Sequence, residues 1–138
     1  MKLQSILLSS VAVAALSGCN KPAEPAAPVA PPTEVAAVKT PPPEYPIELA
    51  CQHVGGTSTF KVVISADGAP AEVALVTGSE SARLDELAKK AVQAWQFKAA
   101  TRAGQTVSTT IQVPVSFNPP FVKPDECYSI EERLRRGG

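Results

Sequence analysis

The chain has 138 residues, 44% of them hydrophobic and only 5% aromatic, and its 13 basic side chains balance 13 acidic ones. A length of this order accommodates one small domain. Charge neutrality, with no basic block beyond the N-terminal segment, argues against nucleic acid and against strongly charged substrates as partners.

At the N-terminus Lys2 precedes an apolar run from Ile6 to Leu16, followed by Leu16-Ser17-Gly18-Cys19. A basic residue, a short apolar core and small residues ahead of a cut site make a secretion signal. The run is shorter than the roughly 20 residues of a membrane-spanning helix. Leu-Ser-Gly-Cys resembles the lipobox of bacterial lipoproteins. The resemblance implies that residues 1–18 are a signal peptide and that Cys19 becomes the mature N-terminus, its thiol taking lipid of the palmitate type. Several acyl chains anchor stably because each buried methylene contributes about 0.8 kcal/mol. The expectation is a periplasmic protein held to a cell-envelope membrane through lipid on Cys19. Asn20, by the same resemblance, points to the outer membrane rather than the inner. An ordinary secretory signal with an incidental Cys is the alternative.

Residues 19–43 are read as lipid anchor and tether. From residue 21 onward Pro, Ala and Val dominate, with Pro31-Pro32 and Pro41-Pro42-Pro43. Such a composition makes no core. Proline fixes φ and removes backbone donors, so the segment is expected to extend as polyproline II, reaching about 70 Å.

A domain is expected over residues 44–118. Residues 47–52 suit a short helix, with Pro46 at its start and Gly55-Gly56 ending it. Residues 57–65 alternate, with Phe60, Val62 and Ile64 on one face, and read as a strand. Asp67-Gly68 turns the chain into a second strand over residues 72–77, carrying Val73 and Leu75 on one face. Leu84, Leu87, Ala88, Ala91, Val92 and Trp95 then recur at helical spacing. Ser81 suits the N-cap, and Asp85 and Glu86 suit partners for Lys89 and Lys90 one turn on. A last strand is predicted over residues 107–117. Pro114 within it cannot donate to a ladder, which points to the edge of the sheet.

Three cysteines are present. With Cys19 assigned to lipid, Cys51 and Cys127 are left, and an oxidising compartment favours a disulfide over two separate thiols. Such a bond closes a loop of roughly 75 residues and is worth about 4 kcal/mol in the chain-entropy account. Residues 119–138 form a C-terminal tail, in which Glu131-Glu132-Arg133-Leu134-Arg135-Arg136 is either a short helix or a frayed charged end.

The ordered set Tyr45-Pro46, Gly56-Thr57, Asp67-Gly68, Leu84-Asp85, Trp95-Gln96-Phe97 with Ala99-Ala100, and Val113-Pro114-Val115-Ser116-Phe117 resembles the C-terminal domain of the TonB energy-transducer family. The resemblance implies an α+β fold, a three-stranded antiparallel sheet with two helices packed on one face. It also implies a protein-binding role in TonB-dependent transmembrane transport. The last strand would pair with an extended peptide of an outer-membrane receptor or another envelope protein, which puts the docking edge at Thr109, Thr110, Ile111, Gln112, Val113, Pro114 and Val115. The signal peptide stands where energy transducers of that family carry a membrane helix, so docking is expected without that route to energy.

No other chemistry competes. His53 is the only histidine and lies outside any Cys, His or carboxylate cluster, so a turn or surface role suits it best. There is no nucleophile elbow and no phosphate loop. No enzyme activity, metal, cofactor or small-molecule substrate is expected. Trp95 and Phe97 suit core packing better than a recognition platform. The alternative function is a structural envelope lipoprotein that binds peptidoglycan or an envelope complex.

Overall fold

The computed structural model describes Gly18 and residues 28–137, so the Cys19 lipidation site and the rest of the signal segment lie outside the described residues. In chain order the elements are β1 (Ala36–Lys39), α1 (Ile47–Cys51), β2 (Gly56–Ile64), β3 (Pro70–Thr77), α2 (Ala82–Gln93), β4 (Gln96–Lys98), β5 (Ala100–Arg102), β6 (Gln105–Val107), β7 (Thr109–Phe117) and α3 (Asp125–Arg136).

The main sheet is antiparallel in the order β3-β2-β7. Alternation along β2 sends Ser58, Phe60, Val62 and Ile64 to one face, where all four are wholly buried. Leu84, Ala88 and Val92, one face of α2, pack onto that row together with Val73 of β3 and Val113, Val115 and Phe117 of β7. Burial of one such aliphatic or aromatic side chain contributes about 1.5–3 kcal/mol, so this layer carries most of the fold's stability. The opposite face of the sheet is open to solvent along Thr57, Lys61, Glu72, Thr110, Gln112 and Ser116, as one-sided antiparallel sheets permit.

Helix α1 closes one end of this core. Tyr45 meets Phe117 edge-on with ring centroids 5.4 Å apart, and its hydroxyl donates to the Val54 carbonyl at 2.8 Å. The helix ends at Cys51, and His53, an exposed turn residue whose φ of 56° is left-handed, redirects the chain ahead of the glycine pair expected to end the helix. Gly55 serves a different need. A Cβ there would lie 2.6 Å from the Phe117 carbonyl oxygen, so only glycine allows α1 to approach the end of β7.

Beyond the sheet, Cys51 and Cys127 are joined as a disulfide with Cα atoms 5.3 Å apart. With Ile130 they form a small buried cluster that docks α3 onto α1. The charged C-terminal segment is therefore the second half of a 12-residue helix. Lys123 pairs with Glu131, and Arg135 and Arg136 pair with Glu132 at 3.2 and 2.8 Å. The exposed Glu132 pairs contribute little, leaving the disulfide, Ile130 and the half-buried Lys123–Glu131 pair to hold the helix.

Three local outcomes depart from the sequence reading. Asp85 does not pair with Lys89. Its carboxylate turns inward to accept from the Ser58 hydroxyl and the Ser79 amide, both at 2.7 Å. A buried hydroxyl in the apolar row needs a partner, and Asp85 supplies it. The last strand starts at Thr109 rather than 107, because Val107 belongs to a separate hairpin, β5 against β6, turning at Ala103 and Gly104 with φ of 52° and 76°. Finally, residues read as free tether carry a strand. β1 pairs antiparallel with β4, and Thr33 bridges Thr101. Residues 33–40 are a proline-free run between Pro32 and Pro41, so their amides are available to donate, which polyproline segments cannot do.

Burial pushes the Asp85 carboxyl up, but the hydrogen bonds from Ser58 and Ser79 outweigh it and hold the group below its ordinary value. A depressed carboxylate stabilises the fold above its unfolded pKa, and that contribution is lost as pH falls through the folded value. Ser58→Ala is expected to cost about 1–3 kcal/mol at neutral pH. In urea titrations the gap between wild type and variant should narrow as pH falls from about 5 toward 2; a pH-independent gap would contradict the pairing. Gly68 has φ of 88°, and a Cβ there would land on the Phe97 carbonyl oxygen. Gly68→Ala should destabilise by about 3 kcal/mol or more, measured the same way. Joint Cys51→Ala and Cys127→Ala replacement should cost about 2–4 kcal/mol and expose the α3 amides to rapid hydrogen exchange.

Candidate functional site

An antiparallel sheet of three strands leaves two edges, and only side-chain chemistry decides whether either can take a further strand. One edge is β3, which carries the charge of Glu72 and lies beside α2. The other is β7, whose nine residues, Thr-Thr-Ile-Gln-Val-Pro-Val-Ser-Phe, include no charge at all. Soluble proteins usually blunt an exposed edge with lysine, a bulge, shortness or a cover. Here the register with β2 runs without a shift from Gly56 opposite Phe117 to Ile64 opposite Thr109. Among the described residues no strand lies on the outer side of β7.

All seven residues singled out from the sequence sit on this edge. Val113 and Val115 are buried in the core and Ile111 is partly so, which fixes the strand's rotation. Thr110, Gln112 and Pro114 alternate with them and are exposed on the open face. Pro114 sits opposite Thr59 within the unbroken register. A proline fits such a ladder where its nitrogen faces away from the partner strand. By strand parity the amides of Thr110 and Gln112 face the same way, toward the open edge. The edge therefore offers donors at 110 and 112 and none at 114, a polarity that sets the frame in which an added strand can bond. Across the ladder Gln112 lies opposite Lys61, and the Thr57 and Ser116 hydroxyls are 2.9 Å apart. These groups line the polar face beside any added strand.

Trp95 and Phe97 take the packing role expected of them. Phe97 is buried in the core cluster, and Trp95 lies against it with ring centroids 6.2 Å apart. Trp95 has a second contact that sequence reasoning missed: its indole nitrogen donates to the Pro41 carbonyl at 2.8 Å. The only available signal was an aromatic N–H at the end of a helical stripe, which requires a partner when buried. Among the described residues no group of three or more His, Cys, Asp or Glu could hold a metal. No described helix is long and apolar enough to cross a membrane.

Residues 41–119 match the family described as the Gram-negative bacterial TonB protein C-terminal. A protein named TonB2 from Pseudomonas aeruginosa is 34% identical over 77 residues, 56% of this chain, and the match spans only 28% of that relative. In structure the chain is similar to the solution NMR structure of the Pseudomonas aeruginosa TonB C-terminal domain. The TM-score is 0.53 at 18% identity, covering 62% of this chain and 87% of that one, a likeness of fold. On the strength of the family match, which takes in the core, the β7 edge and the start of the domain, this chain belongs to the TonB C-terminal family.

Proposed function

We propose that the protein is a lipid-anchored, periplasmic binding module that docks an extended peptide of an outer-membrane transport protein on β7, and that it is not an enzyme. The observation that carries the reading is the β7 edge: nine residues in regular register, uncharged and with no further strand on the outer side among the described residues. Strand addition there draws affinity from backbone hydrogen bonds, and the alternate side chains Thr110, Gln112 and Pro114 supply selectivity. The family match supports the transport association. Lipid on Cys19, outer-membrane attachment and the receptor as partner are proposed on the sequence alone.

The mechanism follows from the ladder. An incoming strand accepts from the Thr110 and Gln112 amides and lays its alternate side chains beside Gln112 and Ser116. Because Val113 and Val115 root the strand in the core, a pull on the bound peptide is delivered to β2 through the whole nine-residue ladder.

Gln112→Pro removes one outward donor while leaving the β2 ladder intact. It should fold with a melting midpoint close to wild type and bind an extended receptor peptide about 10- to 100-fold more weakly. A folded variant with unchanged affinity would exclude strand addition on this edge. Cys19→Ser should abolish incorporation of radiolabelled palmitate and release the domain from the membrane fraction; retained label would place the lipid elsewhere.

A further inference from the structure

A second extended contact, in a sheet separate from the one that holds β7, uses the chain's own residues. Residues 33–41 lie along β4 and β5. The Thr33 amide donates to the Thr101 carbonyl at 3.0 Å and the Thr101 amide donates back at 3.0 Å. Arg102 donates to the Thr33 carbonyl at 2.8 Å and to Glu34 at 3.1 Å. Ala36 and Ala37 pair with Lys98 and Phe97, and Lys39 with Gln96 after a register shift. Trp95 closes the series on the Pro41 carbonyl, and Pro41, Pro42 and Pro43 then cross α2 over a groove of about 240 Å³ lined by Leu87 and Ala91.

This contact is built to hold weakly. All four β1 residues are exposed, Val38 at 66%, and Val35 alone of the segment packs against the core cluster. A two-stranded ribbon is marginal in water. The Arg102–Glu34 pair is exposed on both sides and adds little. The main core, by contrast, includes six wholly buried apolar side chains, Phe60, Val62, Ile64, Leu84, Ala88 and Val92, with the satisfied Ser58 beside them. The contacts are also in series along the chain: a load arriving from the N-terminal side reaches Thr33 first and Pro41 last.

We propose that residues 33–41 are a releasable strap, which shortens the tether at rest and peels from β5 and β4 under load before the domain yields. Release moves the exit of free chain from the Thr33–Thr101 contact to Pro41 and frees nine residues, a contour of about 30 Å. The load assumes the anchored docking reading above; the strap itself does not, and its test uses neither partner nor lipid.

The test is amide hydrogen exchange on the full chain in detergent, with the joint variant Trp95→Phe and Arg102→Ala, which removes the two side-chain clasps. In wild type the residue 33–39 amides should exchange about 10- to 1000-fold slower than coil and well ahead of β2 and β7. In the variant they should return to within about threefold of coil rates while β2 and β7 keep their protection. Coil-rate exchange in wild type, or protection equal to that of β2 and β7, would overturn the proposal. As a second readout, pulling between residue 28 and Phe117 should show an early gain of up to about 30 Å ahead of the main rupture; a single rupture without it would overturn release under load.

Discussion

The saturation of β2 on both its sides and on its inner face is the constraint on which the rest depends. Its inner row of Phe60, Val62 and Ile64 is wholly buried under Leu84, Ala88 and Val92, and its two backbone edges are consumed by β3 and β7. Sliding β2 by one residue would exchange that row for Thr59, Lys61 and Val63 and bury a lysine. The register is thereby locked, and with it the rotation of β7, because Val113 sits opposite Phe60 and Val115 opposite Ser58. Ser58 extends the row to the end of α2, where Asp85 answers its hydroxyl and the loop amide of Ser79 together. Gly78 leaves room for that carboxylate, since a Cβ there would lie 2.9 Å from it.

From this lock follows an asymmetry between the two edges of the sheet. β3 keeps α2 beside it, whereas β7 ends in Phe117 against Tyr45 and Gly55 and is an uncharged edge with no further strand on it among the described residues. A long, regular, uncharged edge is costly to keep in a soluble protein because it invites pairing with any exposed strand. Stability does not require the edge to stay uncharged, because Thr110 and Gln112 are exposed and a lysine at either would disturb no core contact.

Much of this was legible in the residues. Helix α2 announces itself by period, β2 and β7 by alternation, and the edge position by Pro114, because each signal is local. The disulfide was legible as a possibility, and its geometry required α1 and α3 to meet. What sequence reasoning missed is non-local or very short. Asp85 faces Ser58, 27 residues away, and the local lysine was the nearer partner to expect. The three-residue strands β4, β5 and β6 lack room for a period, and Ala103-Gly104 is a weak turn signal beside the Asn-Gly or Asp-Gly that such turns favour. The β1 strand hid inside a proline-rich composition, although the proline-free run and the indole of Trp95 were both in view.

Docking of a receptor peptide on β7 is tested by photo-crosslinking in living cells from a photoreactive residue at position 112, followed by mass spectrometry of the adduct. Covalent capture of an N-terminal extended segment of an outer-membrane transport protein, lost when the same probe is moved to buried Val113, is the predicted result. Capture of peptidoglycan-associated proteins alone, or of nothing, would contradict it.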